Sequence, residues 1–94
     1  EIYLPEGLTY IGSQALAACS NLHKVVFPST LTSMGGYVLS GTDVTRLECH
    51  AVVPPTLGGM LKDLSFNIYI PIGSGEAYKA AAYWGDNSIY EKQF

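Results

Sequence analysis

Residues 2 to 19, IYLPEGLTYIGSQALAAC, return at residues 25 to 42 as VVFPSTLTSMGGYVLSGT. In this register Pro5/Pro28, Leu8/Leu31, Thr9/Thr32, Gly12/Gly35 and Leu16/Leu39 are identical, and Ile2/Val25, Leu4/Phe27, Ile11/Met34 and Ala15/Val38 stay apolar. Agreement at nine of eighteen positions marks a repeat of 23 residues rather than shared composition. The strand-like part recurs further along. Leu22 to Phe27 and Val44 to Cys49 both read apolar-x-x-apolar-x-apolar, and Ile68-Tyr69-Ile70-Pro71 repeats the ending Val25-Val26-Phe27-Pro28. Ile2, Val25, Leu47 and Ile68 therefore hold one place in the unit, at spacings of 23, 22 and 21.

A period in this range with an L-x-x-L-x-L core is the signature of leucine-rich repeats, in which each unit is one coil of a solenoid. Strand side chains alternate, so Val25 and Phe27 are expected inward and Val26 outward. Proline after the strand has no N–H for a further ladder bond and ends it. Leu31 to Met34 reads as a second short extended stretch, Gly35-Gly36 as a turn, and Tyr37-Val38-Leu39 as a helical turn before the next strand. The third unit departs from the pattern, with Pro54-Pro55 and Gly58-Gly59 in place of the expected turn.

The sequence thus predicts an α/β repeat: a right-handed leucine-rich-repeat β-α solenoid with short parallel strands near 2 to 4, 22 to 27, 44 to 49 and 68 to 70. A C-terminal capping helix is expected near 75 to 84. Residues 1–94 form one domain, divided into repeats at about 2–24 and 25–46, a degenerate repeat at 47–67 and a terminal cap at 68–94. Two regular coils sit at the lower limit of a stable array, and the chain opens on Glu1 already in a strand-like run. Both features predict a segment of a longer protein with further repeats before it.

Composition excludes several functions. The 94 residues are 48% hydrophobic and 14% charged, which suits a folded chain rather than a disordered one. Five Lys and Arg are scattered among eight acids for a net charge of -3, so the basic footprint of a nucleic-acid binder is missing. No run reaches the roughly 20 apolar residues of a membrane helix, so no membrane insertion is expected. Cys19 and Cys49 lie 30 residues apart, outside any C-x-x-C spacing.

Candidate chemistry can be weighed motif by motif. Gly73-Ser74-Gly75 ahead of a helix resembles an anion nest, but a P-loop needs G-x-x-x-x-G-K-[ST], and Glu76 in the first turn repels an anion. The expected roles are Ser74 as N-cap, Glu76 complementing the helix dipole and Gly85 ending the helix. Ala77, Ala81 and Trp84, broadened by Tyr78 and Ala82, make one apolar stripe for covering the last coil. Cys19, His23, Cys49 and His50 contain zinc-ligand types, but Cys49 and His50 are strand neighbours that face opposite sides. Neither a metal nor any other cofactor is expected. No G-x-S-x-G and no paired carboxylates are present, so no catalytic residue is assigned.

The remaining candidates lie on the strand face. Aligning the strands stacks Tyr3, Val26, Glu48 and Tyr69 in one column, Lys24 and Arg46 in a second, and His23 and Thr45 in a third. A flat face that mixes tyrosine with charge suits protein recognition, because tyrosine gives contact area at low entropic cost.

L-P-x-x-L-x-x-I-G-x-x-A-L-x-x-C-x-x-L, from Leu4 to Leu22, resembles the BspA-like (Treponema pallidum type) leucine-rich repeat of bacterial surface proteins, and a second copy starts at Phe27-Pro28. The family's usual phenylalanine after Ala is Leu16 here and Leu39 in the next copy, and its cysteine is kept as Cys19 but is Thr42 in the second. Residues 52 to 90 are similar to the segment that closes such arrays. The resemblance implies a non-catalytic, secreted or cell-surface interaction module, in some members adhesive toward host proteins. The partner it implies is therefore a protein, with host or extracellular-matrix proteins as candidates, while the scattered charges argue against nucleic acid. The alternative is a structural terminator or spacer of the array, with no ligand of its own.

Overall fold

The computed structural model describes residues 2–62, 66–85 and 87–94. Five parallel strands build the main sheet: β1 (Ile2–Tyr3), β3 (Lys24–Phe27), β5 (Arg46–Cys49), β7 (Asn67–Pro71) and β8 (Ser88–Lys92), in that spatial order. A second parallel sheet, β2 (Tyr10–Ile11), β4 (Ser33–Met34) and β6 (Thr56–Leu57), runs along another side of the coils. Each strand pairs with its counterpart one repeat away. Ile2 lies against Val25, Val25 against Leu47, and Leu47 against Ile68, the register that the repeat predicts.

The ladder has one rung more than the sequence suggested. In β8 Ile89 pairs with Ile68 and Tyr90 with Tyr69, so the inward column continues after another 21 residues. The third coil, irregular in sequence, keeps its place in the second ladder, with Ser33 opposite Thr56 and Met34 opposite Leu57.

Return segments within the coils are turns rather than helix. Around Tyr37 to Thr42 the chain closes through two separate i to i+3 bonds, Ser40 N–H to Tyr37 O and Thr42 N–H to Leu39 O. Between them Leu39 N–H bonds across to Leu61 O in the next coil, so backbone donors are spent between coils instead of along a helix. Among the described residues the one helix is α1 (Gly75–Ala80), and the architecture is a β-solenoid of short parallel strands. Helix α1 follows β7 where the second ladder would next have placed a strand, and that ladder stops at β6.

The core is a column of inward side chains. Val25, Phe27, Leu47, Cys49, Ile68 and Ile70 are all fully buried, as are Val38, Leu39 and Val44 from the turns. Coil spacing leaves no room for side chains at some turns. A Cβ on Gly35 would fall on the Ser13 backbone, whereas one on Gly36 would meet the Gly59 backbone only at ordinary van der Waals distance. Backbone atoms cannot swing aside as a side-chain tip can. Gly35→Ala should therefore cost about 2 kcal/mol or more, read as a lower urea midpoint at unchanged slope.

The C-terminal segment buries a different helix face from the one expected. Tyr78 and Trp84 are fully buried, whereas Ala77 and Ala82 are exposed. The helix stops at Ala80 because Ala81 turns extended (φ -77°, ψ 140°), well short of Gly85, and this releases Trp84 from the helical stripe. Ser74 holds the N-cap position without a capping bond. Its hydroxyl donates back to Pro71 O at 2.6 Å, and the Gly75 N–H is taken by Glu91 Oε2 at 2.8 Å. The helix start is thus filled by the chain's own carboxylate.

Candidate functional site

Alternation along the main sheet places Tyr3, Val26, Glu48, Tyr69 and Tyr90 in one outward column. Lys24, Arg46, Asn67 and Ser88 form the next. The two tyrosines at the β7–β8 end stack with ring centroids 5.4 Å apart, and the Arg46 guanidinium lies 4.1 Å from the Tyr69 ring centroid. Lys24 sits over Tyr3 at 5.8 Å. Tyr3 and Tyr90 stand well out of the surface, at 63% and 49% exposure.

Val26 and Glu48 depart from the open face that the alternation suggests. Val26 is 5% exposed and Glu48 6%, and over Glu48 the longer side chains of the flanking columns close. Glu48 becomes the centre of a charged cluster. Its Oε2 lies 3.1 Å from an Arg46 Nη, 3.4 Å from Lys92 Nζ and 3.5 Å from Lys24 Nζ, while Oε1 lies 3.7 Å from His50 Nε2. Burial pushes the carboxyl toward the neutral form, but the Arg46 hydrogen bond and the Lys24 and Lys92 charges outweigh it and hold the group below the usual carboxylate range. Val26 offers little contact area to a partner, and Glu48 acts through the cations it gathers.

His23 and Thr45 lie one residue ahead of β3 and β5, with parity opposite to Lys24 and Arg46. Both are exposed, and their backbones are joined by the Thr45 N–H to His23 O bond at 3.1 Å. The structure brings Tyr3, Lys24, Arg46, Glu48 and Tyr69 together around one centre and leaves His23 and Thr45 beside it.

Sequence reading missed Lys92, Tyr90 and Phe94, and weighed His50 only as a metal ligand. The His50 ring stacks on Phe94 with centroids 4.0 Å apart, and Lys92 Nζ lies 5.7 Å from the Phe94 centroid. Beside them opens a cleft of about 510 Å³, whose wall includes Glu6, His50, Val52, Ile72, Lys92 and Phe94. Val52 and Ile72 are 66% and 63% exposed. Glu6 is engaged there by the Ser29 hydroxyl at 2.7 Å and the Ser29 N–H at 3.1 Å, and these bonds hold its carboxyl below the usual range. The dipeptide Ile-Tyr at 2–3, 68–69 and 89–90 was the signal that would have revealed β8, and with it Lys92 and Tyr90.

The cysteines occupy opposite environments. Cys49 is fully buried beside Tyr78, whose hydroxyl donates to Ala51 O at 2.6 Å and lies 3.3 Å from the sulfur. Burial pushes the Cys49 thiol up, only partly offset by Tyr78, and burial likewise pushes the Tyr78 phenol up. Cys19 is exposed. An aromatic disulfide reagent should therefore titrate one thiol at once and the second only when the protein is unfolded in denaturant. Among the described residues no three His, Cys, Asp or Glu side chains are placed to share a metal ion.

Residues 1–54, more than half of the chain, match the family model described as the BspA type leucine-rich repeat region (6 copies). No curated protein gives a significant match.

Proposed function

We propose that this chain, which belongs to the BspA-type leucine-rich repeat family, is a non-catalytic protein-binding module whose contact surface is the outward face of the five-stranded sheet. Repeat modules of this kind mediate protein interactions by presenting a continuous surface from stacked units. The observation that carries the assignment to this face is the convergence of tyrosines and cations about Glu48: the exposed Tyr3 and Tyr90 and the half-buried Tyr69 with Lys24, Arg46 and Lys92. Aromatic residues and arginine are the side chains that dominate binding energy at protein interfaces. A secreted or cell-surface location and an adhesive role toward a host or matrix protein belong to the same proposal, and the family match is what supports them. No described helix is long and apolar enough to cross a membrane.

A second role is compatible with the first and concerns the C-terminal end. Trp84 Nε1 donates to Pro55 O at 2.8 Å, on the residue before β6. The α1 segment then works as a cap, closing the second sheet at β6 while the main sheet continues to β8.

Selection of a displayed random-peptide library on the 94-residue chain tests the binding face. Selected peptides should lose at least about tenfold in affinity for a variant carrying Tyr3→Ser, Lys24→Gln, Arg46→Gln and Tyr69→Ser, with its circular dichroism unchanged. Peptides that bind the variant as tightly as the wild type would place the contact surface elsewhere.

A further inference from the structure

We infer that the outward face takes an extended acidic segment of a protein partner, with a carboxylate at one position and an apolar side chain two residues on. This rests on the binding role proposed above and deepens it.

Charge complementarity supplies the first half. The chain is acidic overall, with net charge -3, yet Arg46 and Lys92 converge on a single oxygen of Glu48. Two full cations thus share one carboxylate, and their side chains remain 39% and 41% exposed. The Arg46 Nε is covered by the protein and out of a partner's reach, so a contact falls to the exposed part of the guanidinium side chain. A partner carboxylate set between Arg46 and Lys92 would balance the pair and make charge-assisted bonds that the folded chain alone does not.

The cleft supplies the second half. Lys92 belongs both to the Glu48 cluster and to the cleft wall, where Val52, Ile72 and Phe94 present apolar surface. Lys92 Nζ and the Phe94 ring centroid are 5.7 Å apart. Side chains on one side of an extended peptide recur every two residues, about 6.6 Å, so an acid on Lys92 places the second-next side chain at the aromatic wall. Glu6 on that wall is already engaged by Ser29. The apolar half favours a polypeptide over a sulfated polysaccharide, which would match the cations and leave the cleft unfilled.

The test uses fluorescence anisotropy with a labelled ten-residue peptide carrying two Glu-x-Leu units, a twin with Gln for Glu, a twin with Ser for Leu, and a heparin octasaccharide. The parent peptide should bind with affinity that falls between 50 and 300 mM salt, and each twin should be weaker by about tenfold. Arg46→Gln and Lys92→Gln should each cost about tenfold for the parent and little for the Gln twin. Because Lys92 is the more exposed of the two, Lys92→Gln decides the matter if Arg46→Gln melts early. Equal binding of parent and Gln twin, or binding of the octasaccharide without the peptide, overturns the inference. If the library selection above yields face-dependent peptides that are neutral or basic, the acidic partner is refuted while the binding face stands; if it yields none that depend on the face, both fall.

Discussion

Trp84→Ala should lower the melting temperature by about 12 °C or more. Trp84 is fully buried, meets Tyr78 edge-on with ring centroids 5.0 Å apart, and donates from Nε1 to Pro55 O. Truncating a buried tryptophan costs about 3 to 5 kcal/mol, against a total stability of about 5 to 14 kcal/mol for a domain of this length. At this size each kcal/mol is worth about 4 to 8 °C in Tm. Thermal melts followed by far-UV circular dichroism would read the loss, since the substitution removes the chain's single tryptophan. Trp84→Phe separates packing from the hydrogen bond. It keeps a ring against Tyr78 and strands the Pro55 carbonyl, so its cost should fall between those of wild type and alanine, at about 1 to 3 kcal/mol. A Trp84→Ala melt within 5 °C of wild type would show that the C-terminal segment adds nothing to the stability of the coils.

Much of the ladder was legible because the repeat is a backbone property. Inward residues must recur once per coil, so Ile2, Val25, Leu47 and Ile68 announce their own pairing. Ile89 announces it equally well, but β8 follows a helix and carries Glu91 where β7 has Ile70, so the apolar-x-apolar ending that marked the earlier strands is broken there. Glu91 is tolerated at that position because its carboxylate reaches the Gly75 N–H at the start of α1.

The candidate site was legible as columns but not as depth. Strand alternation correctly sets Tyr3, Val26, Glu48 and Tyr69 in line, yet it treats both faces of a strand as equally thick. The outward face acquires its own small buried layer because Lys24, Arg46 and Lys92 arrive from three different strands and fold over Glu48. That convergence joins residues up to 68 positions apart, and no local pattern encodes it. The helix was misplaced for a related reason. A stripe of Ala77, Ala81 and Trp84 assumes that the helix continues, whereas its end at Ala80 lets Trp84 reach Pro55 by a route that helical periodicity does not describe.

The buried layer makes the second large effect. Glu48→Ala should destabilise the chain by about 2 to 3 kcal/mol, because the cations gathered around the carboxylate are left facing one another over a void. The cost stays at the low end for a broken buried ion cluster because Arg46 and Lys92 are each about two-fifths exposed and can turn toward solvent. Glu48→Gln keeps the shape and removes the charge, which isolates the electrostatic part. Its pH dependence has a definite sign. The folded carboxyl is held below its unfolded value by the Arg46 bond and the Lys24 and Lys92 charges in spite of burial, so folding favours the ionised form. The stabilisation is then complete above the unfolded value, near pH 4.3, and is lost as pH falls through the lower folded value. Urea titrations of wild type and Glu48→Gln should therefore differ most at pH 6 to 7 and converge toward pH 2 to 3. Glu6, also held low by Ser29, titrates in both proteins and drops out of the difference. A gap that stays constant from pH 7 to pH 2.5 would mean that Glu48 contributes by packing alone, and the charged cluster would then lose its part in holding Arg46 and Lys92 in place.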